Sequence, residues 1–504
     1  MGIFLTIVFF ALLVSMHVQP SNEVDAYKKS LIARGEKLEI SEVLPADVPV
    51  ESNGVMLVEQ AFSLFTPSGD EWTNWPPMMR MVAPGKAIVE FEQPDIRASD
   101  YTNSWDNVIA AAKEQASALE LLEQAATYPA WDFDLGYTNW PNARWMFLAP
   151  LKRSAQRLTA TAISDLHNGN TASATTNLCA AIVLTQRLQP ERTVISQLVG
   201  IAIAAIEAPA TWEFLQTTNA TDAELTALQN QWQQLEFVEP MGNAMLMERA
   251  FGLTSIETMR SDPKILRRYA GFSPSASSYS SGSGDWWDDT KDYVHDSLQQ
   301  VIFGGEAFMW HVSWSYTDEM QGLQADQIIL ETFRSIKTNA AFYPSYTNMV
   351  AQMTTLGITN FDEELIFDVP NIRRMFSASA QGLANTVRKV MAAEANKQIV
   401  ITAIALKRYQ LKYGRFPENL AELAPDFLSS VPIDPVDGNP LRYRRNADGT
   451  FLLYSIGEDG VDDGGNPSPV VSSTTFYWLR GRDWVWPQPA TEAEIKYFYE
   501  HPPK

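Results

Sequence analysis

Cysteine is nearly missing: Cys179 is the single one in 504 residues. No intramolecular disulfide can form, so packing alone must hold the chain together, and a chain of this length buries enough surface for that. The lack of disulfides gives export no support. Histidine is scarce too. His17, His167, His295, His311 and His501 are the five present, and none stands in an H-E-x-x-H or other zinc spacing. There is no G-x-S-x-G elbow, no Walker A loop and no G-x-G-x-x-G fingerprint. Ser261-Asp262-Pro263-Lys264 matches S-x-x-K by letter, but with Pro263 inside it and no Lys-Thr-Gly partner it is a chance match. These absences favour a non-enzymatic protein and leave catalytic activity open. Basic residues are outnumbered, 38 Lys and Arg against 60 Asp and Glu, for a net charge of −22. With no long basic run to offset that charge, phosphate backbones and bare anionic lipid are repelled, which excludes nucleic acid as a partner.

What is present is apolar. Hydrophobic residues make up 45% and aromatics 11% of the chain, enough for sizeable cores and for two or three domains. Cys179 lies in the apolar helical pattern Leu178-Cys179-Ala180-Ala181-Ile182 and reads as a small core residue. The longest apolar run is Ile3 to Val18. It is slightly short for a spanning helix and close to a signal-peptide core in length. No Lys or Arg precedes it, no A-x-A site follows it, and Lys28 and Lys29 lie on its far side. An uncleaved anchor, a cleaved signal, a start codon assigned upstream of the true one and a buried soluble helix all stay open. Export of the remainder is the expectation.

The organisation expected is a signal segment over 1–20, a stalk over 21–50, a helical domain with Trp-rich loops over 51–375, a compact module over 376–470 and an extension over 471–504. Residues 23–36 read as a short charged helix, and 65–103 and 128–148 as long loops. Ala155, Leu158, Ala162 and Leu166 recur at helical spacing and stop at Asn168-Gly169-Asn170. A second helix runs to Pro190, a third and very apolar one covers Val194 to Leu215, and Thr221-Asp222-Ala223-Glu224 forms a capping box that opens a fourth. The hairpin around Gly169 resembles those of tetratricopeptide-like repeats, but no second copy recurs at a fixed period, so a solenoid is not supported. Residues 273–284 are low-complexity. A long helix is expected from Ala378 to Tyr413 with Gly414 as its C-cap. The fold class expected is mainly α with a C-terminal α+β module, a long helix plus a small antiparallel sheet.

After that helix the character changes. Three phrases stand in order: Tyr409 to Pro417, ending Gly-Arg-Phe-Pro; Pro432 to Pro440, reading PIDPVDGNP; and Tyr454 to Gly460, reading YSIGEDG. Between the second and third, Leu441 to Arg444 and Phe451 to Ser455 form a hairpin around an Asp-Gly turn. Over roughly residues 395–466 this order resembles the globular head of the type II secretion major pseudopilin. The chain as a whole resembles large bacterial envelope proteins that carry this module at the C-terminus. The resemblance implies a long helix packed on a small sheet, and calcium at the last loop, with Asp459, Asp462 and Asp463 as candidate ligands. Clustered carboxylates and turn glycines suit that hard cation, although two solvated Asp-Gly turns would have the same composition. The sequence departs from a pseudopilin in two ways. The module's helix is internal and carries Arg388, Lys389, Glu394 and Lys397, charges unfit for a bilayer. Ile7 stands where the pilin-type N-terminus has Glu.

Tryptophans fill the loops. Trp75 and Trp140 sit in the recurring phrase Thr-Asn-Trp-Pro, and Trp286 and Trp287 precede Asp288 and Asp289. They could stack on a glycan or a partner protein, or fill loop cores as large aromatics usually do. The expectation is a membrane-tethered, non-enzymatic envelope scaffold, inner-membrane-anchored or exported, that docks protein partners in the cell envelope through a calcium-stabilised module. A glycan-binding protein or hydrolase using the Trp-rich loops is the alternative.

Overall fold

Apolar residues at helical spacing and polar caps at the ends of those stretches dictate most of the architecture. The computed structural model describes residues 2–65, 78–98, 101–139, 145–262, 264–266, 307–339, 341–359, 374, 376–377, 379–469 and 481–501. The protein is mainly α-helical with small sheets. Its contacts divide it into two compact units. One comprises Met1–Leu44, Met245–Thr332 and Asn348–Val387; the other comprises Pro45–Ala244, Phe333–Thr347 and Arg388–Lys504.

In the first unit the apolar run and the charged segment after it form one helix, α1 (Gly2–Ala33). Its second half is core: Val24 and Leu31 are buried, and Leu31 packs with Leu253, Ile256, Trp310 and Phe376. Charge holds it as well. Glu319, fully buried, receives an ion pair from Lys28 of α1 and another, at 2.6 Å, from Arg260. Arg249, also fully buried, donates to Glu36 (3.0 Å), Gln327 (2.8 Å) and the Lys37 carbonyl (2.8 Å). These acceptors and donors come from α9 (Val238–Ser261), α10 (Ser315–Asn339) and the turn after α1. The Phe376 ring lies against two glycines. A Cβ on Gly252 would come within 2.2 Å of it and one on Gly322 within 2.8 Å, so neither position admits a side chain. The Asp318 carboxylate accepts the Phe376 and Ser377 amides at 2.8 and 2.9 Å.

The second unit centres on α5 (Leu148–His167), α6 (Thr171–Leu188) and α7 (Val194–Gln216), with α2 (Val55–Leu64), α4 (Ala116–Ala126) and α8 (Asp222–Gln233) packed around them. Gly169 ends α5 at φ +73°, and the Thr221–Glu224 capping box opens α8, both as the sequence predicts. α7 is long and apolar enough to cross a membrane, yet Ala204, Ala208 and Trp212 on it are buried within the unit. Cys179 is half-buried on α6, and burial pushes its thiol up to about 12. Glu213 near the end of α7 is fully buried. Its carboxylate accepts the Met79 and Glu90 amides at 3.0 Å each.

The stretch 65–103, expected as loop, contains strands. β1 (Arg80–Ala83) and β2 (Lys86–Ile88) pair antiparallel, and β3 (Ile96–Ala98) pairs with β4 (Tyr101–Asn103). The local pattern is too short to reveal the first pair, because β2 takes a parallel partner from the far end of the chain, β8 (Gln488–Pro489).

The C-terminal module starts from α12 (Ser379–Tyr413), which stops where Gly414 turns at φ +70° and donates to the Gln410 carbonyl at 2.8 Å. Asn419 and Glu422 cap the following turn, and Tyr409 donates to Glu422 at 2.6 Å. The hairpin is β5 (Arg442–Arg445) and β6 (Phe451–Ser455), in register Arg442↔Tyr454 to Arg445↔Phe451. A third strand, β7 (Trp484–Val485), joins β6 antiparallel from beyond the hairpin.

Removing one partner of a buried ion pair strands the others without charge balance, at a cost of roughly 3–5 kcal/mol. Glu319→Ala should lower the unfolding free energy by about that much, read from denaturant midpoints. A second expectation concerns pH. Burial raises the Glu90 carboxyl to about 7 against the attraction of Arg80. An unfolded glutamate titrates near ~4.3. The folded state therefore binds more protons between these values, and this contribution to stability is lost as pH rises from about 4.5 to about 7. Glu90→Gln should bring the midpoints measured at about pH 5 and about pH 8 closer together than in the wild type.

Candidate functional site

Two places in the second unit gather polar side chains. The first is the loop after β6. Asp459 accepts the Val461 amide at 3.1 Å, a turn bond within its own loop. Asp462 accepts the Gly464 amide (2.9 Å) and the Tyr454 hydroxyl (3.0 Å), and faces the Arg442 guanidinium at 3.4 Å. Burial works against its charge, but those donors outweigh it and hold the carboxyl below the usual range. Asp463 turns towards Arg482 at 3.9 Å, while its amide donates to Asp483 at 3.3 Å. The fully buried Asp483 also accepts the amides of Gly465 and Asn466, at 2.7 and 2.9 Å.

This arrangement does not fit a calcium ion. Calcium needs carboxylates and carbonyl oxygens converging on one point. Here Asp459, Asp462 and Asp463 point to three different partners, and the loop's amides converge on a carboxylate. Among the described residues no group of three or more His, Cys, Asp and Glu side chains is gathered as metal ligands would be. The cation at the centre is Arg442. Its Nη1 donates to Asp434 at 2.9 Å and its Nη2 to Asp437 at 2.6 Å, besides the contact to Asp462. Asp434 is fully buried and also accepts the Ser455 hydroxyl and the Ile456 amide. One guanidinium thus ties the Pro-Ile-Asp-Pro loop, β5 and the last loop together, as a planar fork with five donors is suited to do.

The second place is a cleft of about 530 Å³ between the start of α9, residues 336–342, the middle of α12 and the loop 428–435. Its floor holds a buried pair. Lys397 Nζ lies 2.6 Å from Glu394 Oε2 and donates to the Leu235 carbonyl at 3.0 Å, and Glu394 Oε1 accepts the Phe237 amide at 3.1 Å. Ile336, Phe342, Ile401 and Ile433 supply apolar wall. At the rim Glu239 pairs with Lys337 at 2.7 Å. Burial raises the Glu236 carboxyl, Lys397 opposes that shift, and Glu394 and Glu239 add to it. A cleft lined in equal parts by apolar and by polar or charged side chains can bind an amphipathic group. No hydroxyl or thiol paired with a base lines it. The sequence carried a trace of this site, since Glu394 and Lys397 are charges three residues apart on a helix otherwise apolar there. Nothing local marks the other walls.

The tryptophans divide. Trp75, Trp140, Trp286 and Trp287 lie outside the described residues. Trp105 and Trp131 are core: Trp105 stacks on His167 with ring centroids 4.0 Å apart and donates to the Gln93 carbonyl, and Trp131 donates to the Ala125 carbonyl. Comparison with protein-family models, with curated proteins and with solved structures finds no match.

Arg442→Ala leaves Asp434 buried without its counter-charge and should destabilise the chain by about 3 kcal/mol, read from denaturant unfolding. Because Asp459, Asp462 and Asp463 point to different partners and do not converge on one point, the wild-type melting temperature should be the same in millimolar calcium as in EDTA.

Proposed function

We propose that the protein is a membrane-tethered, non-enzymatic scaffold of the bacterial envelope that docks protein partners. The observation that carries this reading is the continuity of α1. The apolar run Ile3 to Val18 passes without a linker into a segment whose Val24, Lys28 and Leu31 are fixed in the core of the first unit. A signal designed for removal would not need to be part of a core. An anchor continued into one holds the folded unit at the membrane.

The sequence resemblance of the module from α12 to β6 to a pseudopilin head supports a place near type II secretion or pilus-like assemblies. The cleft beside that module supports docking. Its apolar walls suit a side chain of a partner's segment, and Glu236 and Glu239 at the rim favour a basic neighbour on it. Carbonate-washed membranes should retain a C-terminally tagged chain, and protease added to spheroplasts should digest everything beyond the apolar run. Protection of the whole chain, or its release by carbonate, overturns the proposal.

A further inference from the structure

Within the first unit α1 and α10, with the turn preceding α10, run side by side in the same direction. His17 Nδ1 lies 3.1 Å from the Val312 carbonyl, and its ring meets Tyr316 edge-on at 5.2 Å. Further along, Lys28 meets Glu319, Gln327 donates to Glu36 at 2.8 Å, and Arg34 approaches Glu331 at 4.0 Å. From His17 and Val312 to Lys28 and Glu319 the numbers rise on both segments, so residues 307–311 lie towards the start of α1.

Charge is distributed along α1 as a step: no Asp, Glu, Lys or Arg occurs before Glu23. On the other segment the uncharged stretch runs from Ala307 to Thr317, between Glu306 and Asp318. From Glu23 and Asp318 onward the charged residues crowd in: Asp25, Lys28, Lys29 and Arg34 on one side, Glu319 and Glu331 on the other. The uncharged end is also where apolar side chains stand in solvent. Val14 is 47% exposed, Met16 38%, Val18 46% and Phe308 50%. Trp314 and Tyr316 beside them are half-buried. Single exposed apolar residues, such as Ile32 at the other end of α1, are ordinary, but several together at one end of a helix pair mark a contact surface. The backbone between Trp310 and Trp314 is a π-helical turn, a form that recurs at functional positions.

We infer that this end of the first unit is a collar embedded at the membrane–water interface. Val14, Met16 and Val18 of α1 and Phe308 lie among acyl chains there, and Trp314 and Tyr316 lie at headgroup depth. The inference rests on the reading of α1 as a membrane helix and adds where the folded unit meets the lipid. A bilayer is the fitting occupant because the exposed row continues, on the same helix, into the uninterrupted apolar run. Trp and Tyr are the side chains that favour the headgroup level, and on α1 cations and carboxylates begin only past it, at Glu23. The collar's lack of charge also answers the net charge of −22, since it lets the chain approach lipid by its one unrepelled end.

The test uses the full-length chain carrying Cys179→Ala, reconstituted into phosphatidylcholine–phosphatidylethanolamine vesicles. An environment-sensitive fluorophore is attached at Phe308→Cys or at Val18→Cys. The control is Ile32→Cys, on the same helix, 59% exposed and beyond the charge step. Labels at 308 and 18 should shift to the blue in vesicles and lose most of their emission to lipids carrying a nitroxide near the headgroup, while the label at 32 does neither. Two results overturn the collar. One is a label at 308 and 18 as wet as that at 32, although the chain floats with the vesicles. The other is a blue shift that appears without lipid and follows protein concentration, which makes the surface a contact between copies. A chain that does not float with vesicles at all overturns the anchor reading itself, and is told apart by flotation alone.

Discussion

The buried carboxylate answered by more than one donor is the interaction on which this structure leans. With no disulfide, and with only the short pairing of β2 and β8 among the described residues to join distant segments in a sheet, helices that could slide past each other are registered by buried polar groups. Glu319 can be buried only where Lys28 and Arg260 both reach it. Glu213 can be buried only where the Met79 and Glu90 amides turn towards it. Hydrophobic packing supplies most of the free energy, but it is not directional. An unpaired buried carboxylate is so unfavourable that it rejects every arrangement but the one that satisfies it.

The same device appears in the C-terminal module with the signs arranged differently. There a single cation, Arg442, serves Asp434, Asp437 and Asp462, and a single carboxylate, Asp483, gathers the amides of the following loop. In a loop so rich in acid a bound dication is the usual remedy. A guanidinium does the same work from inside the chain, and being always charged it does so at any pH the protein meets.

The legible parts of the fold were those specified within a turn or two of helix or strand. The apolar pattern of α7, the Thr221 cap, the stop at Gly414 and the hairpin around Asp448-Gly449 need only neighbours in sequence, and all stand as read. What escaped needed partners from elsewhere. β1 and β2 are too short to announce themselves, and β8 is two residues long. Asp462 looks like a metal ligand until Arg442 is placed beside it, and nothing in the spacing of the two predicts that contact. The cleft is similar: Glu394 and Lys397 are visible as charges on a helix, but the walls around them come from four separate stretches of chain.

Cys179 carries a consequence for the chain's redox chemistry. A solitary exposed cysteine is free to couple with glutathione, with a second chain or with an oxidoreductase. Each of those reactions proceeds through the thiolate. With its thiol pushed up to about 12 by burial on α6, little of it is in the reactive form at neutral pH. A half-buried sulfur held as the thiol reacts slowly, so the chain can keep an odd cysteine without a partner for it.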